Sequence, residues 1–498
     1  MKSIAESLLC GSTGIWLLGA TASVALLAAP AEASVTISSA ATEYMNCSAG
    51  VCSPTKTNAV LNISDLKHML KSGNVTVTTT GSGGVQANNV VVATALTWSS
   101  ASGLTLTAAQ SIAIDAGVSV TGKGGLALSD AGTESLAFYN GASITFAKLT
   151  SSLVINGNTY VLVDSVAGLA SAADANPTGD FALAASYDAS GDGTYSSAPV
   201  QNPGNWFTGV FEGLGNTISN LTIVDGTQSA ACDGLIFSIY SPIISNFGMV
   251  NVSITSTGDQ GANGAGGIVC GANSNGMIWR SYATGTISMG RLDGAAGLET
   301  GNAAIVQSWA NVAISGTQGD SFGGLSLGGS SSVIQQSFSM GPLSCSDQDC
   351  QLGGLALNGA QISDSYSLGA VSDTSTGTGD DAYIGGLLST DGGGTITDSY
   401  AAGKITSPSS GGCGVSTNCV GGLYGVEDGS SNDHVYWDKT TTGYDVAAGN
   451  ESSDPGTRGL KNSQLKAQLP RGFGKKIWAE SPNINNGLPY LIANPPPS

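Results

Sequence analysis

One short pattern recurs through the second half of this chain: an isoleucine, a serine three residues later, and then an aromatic residue. Clear copies occupy residues 278–282, 305–309, 334–338, 362–366 and 396–400. A second marker, Gly followed by Leu or Ile, alternates with the first and begins at residues 234, 267, 297, 324, 354, 386 and 422. One such repeat unit on its own cannot bury its apolar face, so the repeat requires a stack of equivalent units.

Each unit holds short apolar segments separated by Gly, Ser and Asn, which are typical of turns. If each isoleucine stacks on the next at the strand spacing of about 4.8 Å, the column becomes a continuous core. We therefore predict an all-β fold, an elongated, right-handed β-helix (β-solenoid) with short capping helices. We place the aromatic column from Tyr282 to Tyr400 inside the coil, with sugar stacking on it as the alternative. Degenerate copies at 218–221 and 244–247 extend the series towards the N-terminus.

Upstream of the repeats, apolar-x-apolar triplets recur at shorter intervals, which predicts a first solenoid stretch. Short helices are expected at 64–72, with Ser64 as N-cap, at 164–173 and at 463–469. The predicted organisation is a signal peptide (1–33), an N-terminal cap with the Cys47/Cys52 loop (34–73), a first β-helix stretch (74–160), a repeat β-helix (161–443), and a C-terminal cap with a loose Pro-rich end (444–498).

The composition fits an exported β protein and disfavours other classes. Gly contributes 72 of the 498 residues, and charged residues make up only 10% of the chain, against a usual share of about 25%. Hydrophobic residues make up 41%, which is too many for a disordered chain. The formal net charge of −19 repels phosphate backbones, so we expect no nucleic-acid partner.

The N-terminus and the cysteines both indicate export. Lys2, an apolar run at 14–29 and the sequence Ala31-Glu32-Ala33 match a secretory signal peptide that is cleaved after Ala33. Eight cysteines remain after cleavage, an even number that indicates disulfides in an exported chain. The close pairs predict three local bridges, while the last two cysteines either pair with each other or stay free. The pairs are Cys47/Cys52, Cys345/Cys350 and Cys413/Cys419, with Cys232 and Cys270 remaining.

Several motifs resemble those of a known group of bacterial surface proteins. Gly-Gly-Leu, a Gly-rich turn and then I-S-x-S-Y-A-x-G-x-I, as in 385–406, resemble the GLUG repeat. Tyr436-Trp437-Asp438 and 487–491 resemble the segment that closes such repeats, and 211–218 is similar to filamentous haemagglutinin-like proteins. The resemblance covers roughly 75–491.

This resemblance implies an exported β-helical protein, either surface-exposed or released, that adheres to a host or matrix surface made of glycan or protein. It also implies an outer-membrane export partner, although the N-P-N-G motif of two-partner secretion domains is replaced by Asn202-Pro203-Gly204-Asn205. The zinc-peptidase motif H-E-x-x-H of some GLUG-bearing chains is absent, since the two histidines, His68 and His434, lie far apart.

The candidate residues for chemistry are few. Asp364 and Asp398 hold the same position in successive repeats, and a glycosidase or lyase would need such paired carboxylates. The same column also contains Asn, Arg and Gln, so we interpret it as a polar ladder at a corner or on the outside. Asp188, Ser190 and Asp192 begin like a calcium loop but lack its final Glu, which leaves an Asx-rich turn or a weak calcium site.

We therefore expect no catalysis, no cofactor other than calcium, and a secreted or cell-surface protein that serves adhesion or matrix association. A polysaccharide-degrading β-helix enzyme, with Asp364 and Asp398 as its catalytic residues, is the first alternative. A structural stalk or spacer is the second.

Overall fold

The fold is known from a computed structural model. It describes residues 33–81, 83–130, 136–201, 206–226, 232–237, 240–257, 264–271, 275–290, 294–317, 319–329, 332–346, 349–359, 361–374, 382–408, 413, 419–450 and 454–497. The predicted signal peptide, apart from Ala33, lies outside these residues.

The described chain is a parallel β-solenoid, which confirms the predicted all-β fold. Isoleucines of successive repeats are register partners, as in Ile278 with Ile305 and Ile305 with Ile334. They belong to a sheet whose strands, among the described residues and in spatial order, are Met45–Ser48, Val51–Pro54, Val75–Thr78, Leu104–Thr107, Leu126–Ser129, Leu153–Ile155, Asn158–Val163, Asp180–Leu183, Val210–Glu212, Ile243–Ser245, Met277–Trp279, Ala304–Val306, Val333–Gln335, Gln361–Ser363, Thr395–Thr397 and Ser431–Asp433.

The aromatic residues start the strands of a second long sheet. Its described strands are Tyr187–Asp188, Thr194–Tyr195, Thr217–Ser219, Thr222–Asp225, Gly248–Ser256, Tyr282–Met289, Trp309–Gly316, Phe338–Ser339, Leu343–Cys345, Tyr366–Ser367, Val371–Asp373, Tyr400–Ala401, Ile405–Thr406, Val435–Asp438 and Thr457–Leu460. The Gly-Leu markers follow the strands of a third sheet: Cys232–Asp233, Gly264–Gly266, Gly294–Ala296, Ser321–Gly323, Gln351–Gly353, Tyr383–Gly385 and Cys419–Gly421.

Smaller sheets complete the coils. In the first stretch they contain Leu136–Phe138, Ile112–Ile114, Asn89–Val92, Ser34–Ser38 and Ala59–Asn62, then Ile144–Phe146, Val118–Val120 and Leu96–Trp98, and a hairpin of Thr80–Gly81 with Gly84–Val85. In the repeat stretch they contain Ile236–Phe237 with Val269–Cys270, then Ala356–Asn358, Leu388–Thr390 and Tyr424–Val426, and the antiparallel pair Trp478–Ala479 with Tyr490–Leu491.

The helices lie near their predicted places with shifted ends. Helix α1 (Ile63–Ser72) is capped by Asn62 and not by Ser64, because the Ser64 N–H donates to the Asn62 side chain at 2.8 Å. Helix α2 (Val166–Ala175) begins after its N-cap Ser165. Two single turns, α3 (Lys439–Thr442) and α4 (Asn462–Leu465), and two 3-10 turns, Ala189–Gly191 and Asn485–Gly487, complete the described helical elements.

The core is divided into two stretches that share one sheet. The apolar cluster of the first stretch takes in Leu66 and Leu70 of α1 and extends to Ala182, Ala184 and Leu214. The cluster of the repeat stretch begins at Val163 and takes in the buried face of α2. The first long sheet nevertheless runs through both stretches without a break.

Four disulfides connect the described cysteines, and they include the pairing that the spacing left open. Cys232 and Cys270 are bridged across neighbouring coils with their Cα atoms 5.4 Å apart. The three local bridges are Cys47–Cys52, Cys345–Cys350 and Cys413–Cys419.

The serine of the repeat points into the coil and forms a hydrogen-bonded ladder there. The Ser308 N–H donates to the Ser337 hydroxyl oxygen at 3.1 Å, and the Ser337 N–H donates to Ser365 in the same way at 3.2 Å. Each hydroxyl donates in turn to the carbonyl two residues before it, as Ser337 does to Gln335 at 2.8 Å. The ladder satisfies backbone groups that are buried where each coil turns its corner.

The glycine of the second marker lets neighbouring coils approach closely. A Cβ atom on Gly324 would lie 2.0 Å from the carbonyl oxygen of Gly354 and 2.6 Å from the Cβ of Ser339. Gly297 is in the same position, with Gly324 and Ala310 as its neighbours. Any side chain here would therefore push the coils apart.

We expect Ser337→Ala to lower the free energy of unfolding by about 1–3 kcal/mol, since it leaves the buried Ser308 N–H without an acceptor. The matched control is Ser431→Ala at an exposed serine of the same stretch, which should change it by less than about 0.5 kcal/mol. Denaturant unfolding followed by circular dichroism measures both. Equal effects of the two substitutions would contradict the serine ladder.

Candidate functional site

The aromatic column lies on the outside of the coil, so its predicted place inside the coil is wrong. Side chains alternate along a strand, and Ser337 and Ser339 on either side of Phe338 both point inwards. Phe338 must therefore point outwards. The rings form a stacked ladder, with centroids 4.6 Å apart between Tyr282 and Trp309 and 5.1 Å apart between Tyr366 and Tyr400.

The faces of the ladder rings are covered by neighbouring rings, so they are not open to a sugar. Tyr282 and Trp309 are parallel within 2°, and Trp309 and Phe338 within 3°. The other face of Tyr282 lies against Gly248, where a Cβ atom would come within 2.5 Å of the ring. Tyr282 and Trp309 are half-buried and expose their ring edges, whereas sugars stack on ring faces.

A C-terminal segment, residues 461–494, runs back along the ladder, and we call it the strap. The Tyr400 hydroxyl donates to the Pro489 carbonyl at 2.7 Å, and the Tyr436 hydroxyl donates to the Arg471 carbonyl at 2.8 Å. The apolar residues that join ladder and strap are Phe338, Tyr366, Tyr400, Ala402, Tyr436, Leu460, Leu465, Phe473, Trp478, Leu488 and Leu491. The strap thus covers the side of the solenoid, where we expected an end cap and a loose end.

The polar column next to the ladder occupies a corner with left-handed backbone angles. The φ values are 46° at Arg280, 49° at Gln307, 47° at Gln336, 48° at Asp364 and 46° at Asp398. Its side chains bond along the column, since Arg280 Nε donates to Gln307 at 2.7 Å and Gln307 donates to Gln336 at 3.1 Å. The structure therefore places both candidate carboxylates in one polar corner ladder.

The strap closes over Asp364 and leaves Asp398 partly open. Trp478 Nε1 donates to Asp364 Oδ1 at 2.8 Å, and Asp364 is 9% exposed. Asp398 Oδ1 lies 3.3 Å from His434 Nδ1, which also lies 3.3 Å from Asp433 Oδ1. A substrate would therefore meet Asp398 and His434 but not the bonded oxygen of Asp364.

Sequence reasoning missed His434, which continues the column beyond Asp398. Its φ of 58° and the register of Thr397 with Asp433 put it in the next coil of the same corner. The repeat at 432–436 carries Asn432 and Val435 in place of the isoleucine and serine, so the motif does not identify this copy. The one remaining signal was that His434 lies two residues before Tyr436, as Asp398 lies two residues before Tyr400.

The carboxyl groups of this corner hold protons more tightly than exposed ones. Burial and, to a smaller extent, the charge of Asp364 raise the pKa of Asp398 to about 6, against the opposing effect of His434. Burial also raises the pKa of Asp364, against the hydrogen bond from Trp478. Asp398 could therefore exchange a proton near neutral pH.

The segment of Asp188, Ser190 and Asp192, for which we expected an Asx-rich turn or a weak calcium site, forms an Asx turn whose carboxylates face different partners. Asp188 Oδ1 accepts from the Ser190 N–H at 3.0 Å and from Asn220 at 2.8 Å. Asp192 accepts from Tyr187 and, at 2.7 Å, from Tyr195. Within the described ranges, no group of three or more His, Cys, Asp or Glu residues is arranged to hold a metal ion.

Comparisons with known proteins identify no family for the chain. No protein-family model matches it, and no curated protein does. The resemblance to the GLUG repeat therefore rests on the motif residues alone. One similar solved structure is an IgA1 protease with a TM-score of 0.42 and 17% identity, over 59% of this chain and 23% of that protein. This chain thus spans less than a quarter of that protein's length.

The helices of the described chain offer no membrane span, because none combines the length and the apolar character that crossing a bilayer needs.

Two buried glutamates outside the corner make stability depend on pH. Glu299 is fully buried, accepts from Ser326 and the Gly301 N–H, and has its pKa raised by burial from 4.5 to about 7. Burial raises the pKa of Glu212 to about 7 as well. Because their pKa values are higher in the folded chain, their contribution to stability is present below about pH 4.5 and is lost as the pH rises through 7.

We expect the free energy of unfolding to fall between pH 5 and pH 8, and Glu299→Gln to remove part of this fall. At about 1.36 kcal/mol per pH unit, the interval from 4.5 to about 7 corresponds to roughly 3 kcal/mol for Glu299. The Gln side chain is neutral, like the protonated acid, and its amide oxygen accepts from Ser326 as Glu299 does. Urea unfolding at several pH values measures the slope, and an unchanged slope in Glu299→Gln would contradict the assignment.

Proposed function

We propose that this β-solenoid is an exported, non-catalytic protein that attaches to a host or matrix surface through a column of exposed hydroxyl groups. The column runs along the outside of the second long sheet, with one Ser or Thr per coil. Register partners make up the series Thr255, Ser288, Ser315, Ser344, Ser372 and Thr406.

This hydroxyl column is the observation that carries the proposal. Its side chains are exposed or half-exposed, uncharged, and repeat at the strand spacing of about 4.8 Å. A hydroxyl both donates and accepts hydrogen bonds, so such an array suits another hydroxyl-rich polymer, a glycan above all. Many weak contacts repeated along a rigid rod add up, because each later contact forms at high effective concentration.

Two further features support an exported, non-catalytic role. Four disulfides fit an oxidising compartment outside the cytosol. Asp364, which paired-carboxylate chemistry would need, is bonded to Trp478 beneath the strap. The ladder rings that could stack sugars are stacked on each other.

Attachment tests the proposal. In a strain that lacks the protein, we expect added wild-type protein to restore attachment and the double variant Ser315→Lys/Ser344→Lys to fail, because two ammonium groups interrupt the column. The matched control is Gln361→Lys/Thr395→Lys, which adds the same charges to exposed neighbours on the first long sheet. Circular dichroism checks that all three proteins fold.

Two outcomes would count against the hydroxyl column. If the Ser315→Lys/Ser344→Lys variant attaches as well as the wild type, the binding surface lies on another face of the solenoid. Attachment that survives in both lysine variants and in proteins shortened by whole coils would favour the stalk or spacer.

A polysaccharide-degrading enzyme is the second candidate, and Asp398 is the observation in its favour. Its raised pKa and its contact with His434 are what a general acid or base requires. We expect no new reducing ends when the protein is incubated with neutral and acidic polysaccharides. Release of reducing ends by the wild type, lost in Asp398→Asn and kept in the distant control Asp188→Asn, would replace our proposal with this one.

A further inference from the structure

A polar pocket lies inside the coil at the beginning of the repeat stretch. Asp233 is the register partner of Ala265, and the later members of that column are apolar core residues. The column continues through Ala295, Phe322, Leu352, Ile384 and Val420. Asp233 thus places a carboxylate, with no exposed surface, where each later described coil has an apolar side chain.

Two more polar side chains meet it from the neighbouring wall of the coil. Asp225 and Ser256 are register partners, and the next residue of their column is the core methionine Met289. Asp225 is 4% exposed and Ser256 1% exposed. All three side chains therefore point into the interior of the solenoid.

The polar side chains of this pocket act on one another, because both Asp225 and Ser256 shift the pKa of Asp233. Both carboxylate oxygens of Asp233 and the hydroxyl of Ser256 are buried and have no hydrogen-bond partner. Burial and the charge of Asp225 raise the pKa of Asp233 to about 7, and Ser256 lies near enough to lower it. Buried, unpaired oxygens are costly, so their presence calls for a ligand that binds oxygen.

We propose that Asp225, Asp233 and Ser256 form a binding site for one calcium ion. Ca²⁺ takes six to eight oxygen ligands at about 2.3–2.6 Å, and Asp carboxylates bind it with one or both oxygens. Two carboxylates balance the charge of the ion, the Ser256 hydroxyl adds a neutral ligand, and water supplies the remaining ligands.

The adjacent disulfide fixes one wall of the site. Cys232 precedes Asp233 in the same short strand and is bridged to Cys270 of the next coil. The bridge holds Asp233 against the neighbouring coil before the ion binds, which lowers the entropy lost on binding.

Calcium titration of the whole protein tests this site. After dialysis against EDTA, we expect wild-type protein to bind one Ca²⁺ per chain by calorimetry, with a Kd on the order of 10⁻⁴–10⁻³ M. Calcium chloride should also raise the melting temperature, because the ion binds the folded chain alone. Magnesium chloride should give a smaller rise, since Mg²⁺ needs an octahedral site with shorter bonds.

Asp233→Asn is the test variant, and Asp188→Asn in the Asx turn is its matched control. We expect Asp188→Asn to behave as wild type, and Asp233→Asn to lose both the heat of binding and the rise in melting temperature. In EDTA, Asp233→Asn should melt at or above the wild-type temperature, because it removes a buried charge. Ser256→Ala, which should bind calcium more weakly, serves where Asp233→Asn does not fold.

Three results would overturn the proposal. One is a wild-type protein that shows neither heat nor a rise in melting temperature with calcium. Another is a rise that Asp233→Asn retains in full. The third is an Asp233→Asn protein that is more stable than wild type by the same amount with and without calcium, which would mean that the two carboxyl groups share a proton.

Discussion

The narrowness of the coil at the Gly-Leu corner governs the rest of the repeat. With Gly324 packed against the next coil and against Ser339, the facing wall admits only a small side chain, and the equivalent positions hold Ala283, Ala310 and Ala401. The last repeat departs from this pattern, because Trp437 occupies the same position against Gly422. In the earlier repeats the aromatic residue is placed one position earlier on the strand, where it points outwards, and the small serine before it turns inwards and bonds to the backbone.

The columns and bridges were predictable from the sequence because they depend on spacing. Isoleucine stacking follows from the repeat period, and the local cysteine pairs follow from their separation. The direction of the aromatic column was not predictable from polarity, since polarity alone places the serine outside and the aromatic residue inside. It is buried because its hydroxyl has backbone partners in two coils, and these become visible only when the coils are stacked.

The register of the degenerate repeats was likewise not predictable from the sequence. In 244–247, Phe247 takes the inward serine position and Gly248 is the register partner of Tyr282, so the copy ends one residue early. In 218–221, Ile218 is the register partner of Met249 and belongs to a different wall.

The candidate site was half predictable: Asp364 and Asp398 followed from the repeat, but His434 and the covering Trp478 required the path of the strap. The polar pocket at Asp233 was hidden because its members come from two different walls.

The strap changes how the C-terminal coils come apart. In a solenoid each coil contacts only its neighbours, so terminal coils can fray one at a time. The strap adds bonds that join residues 114 positions apart, at Trp478 and Asp364, and 186 positions apart, at Asn494 and Ser308. Releasing the last coil therefore requires breaking contacts with coils well inside the stack. We therefore expect the C-terminal coils to unfold as one cooperative block, which is complete only when the strap, including Trp478 and Asn494, has docked.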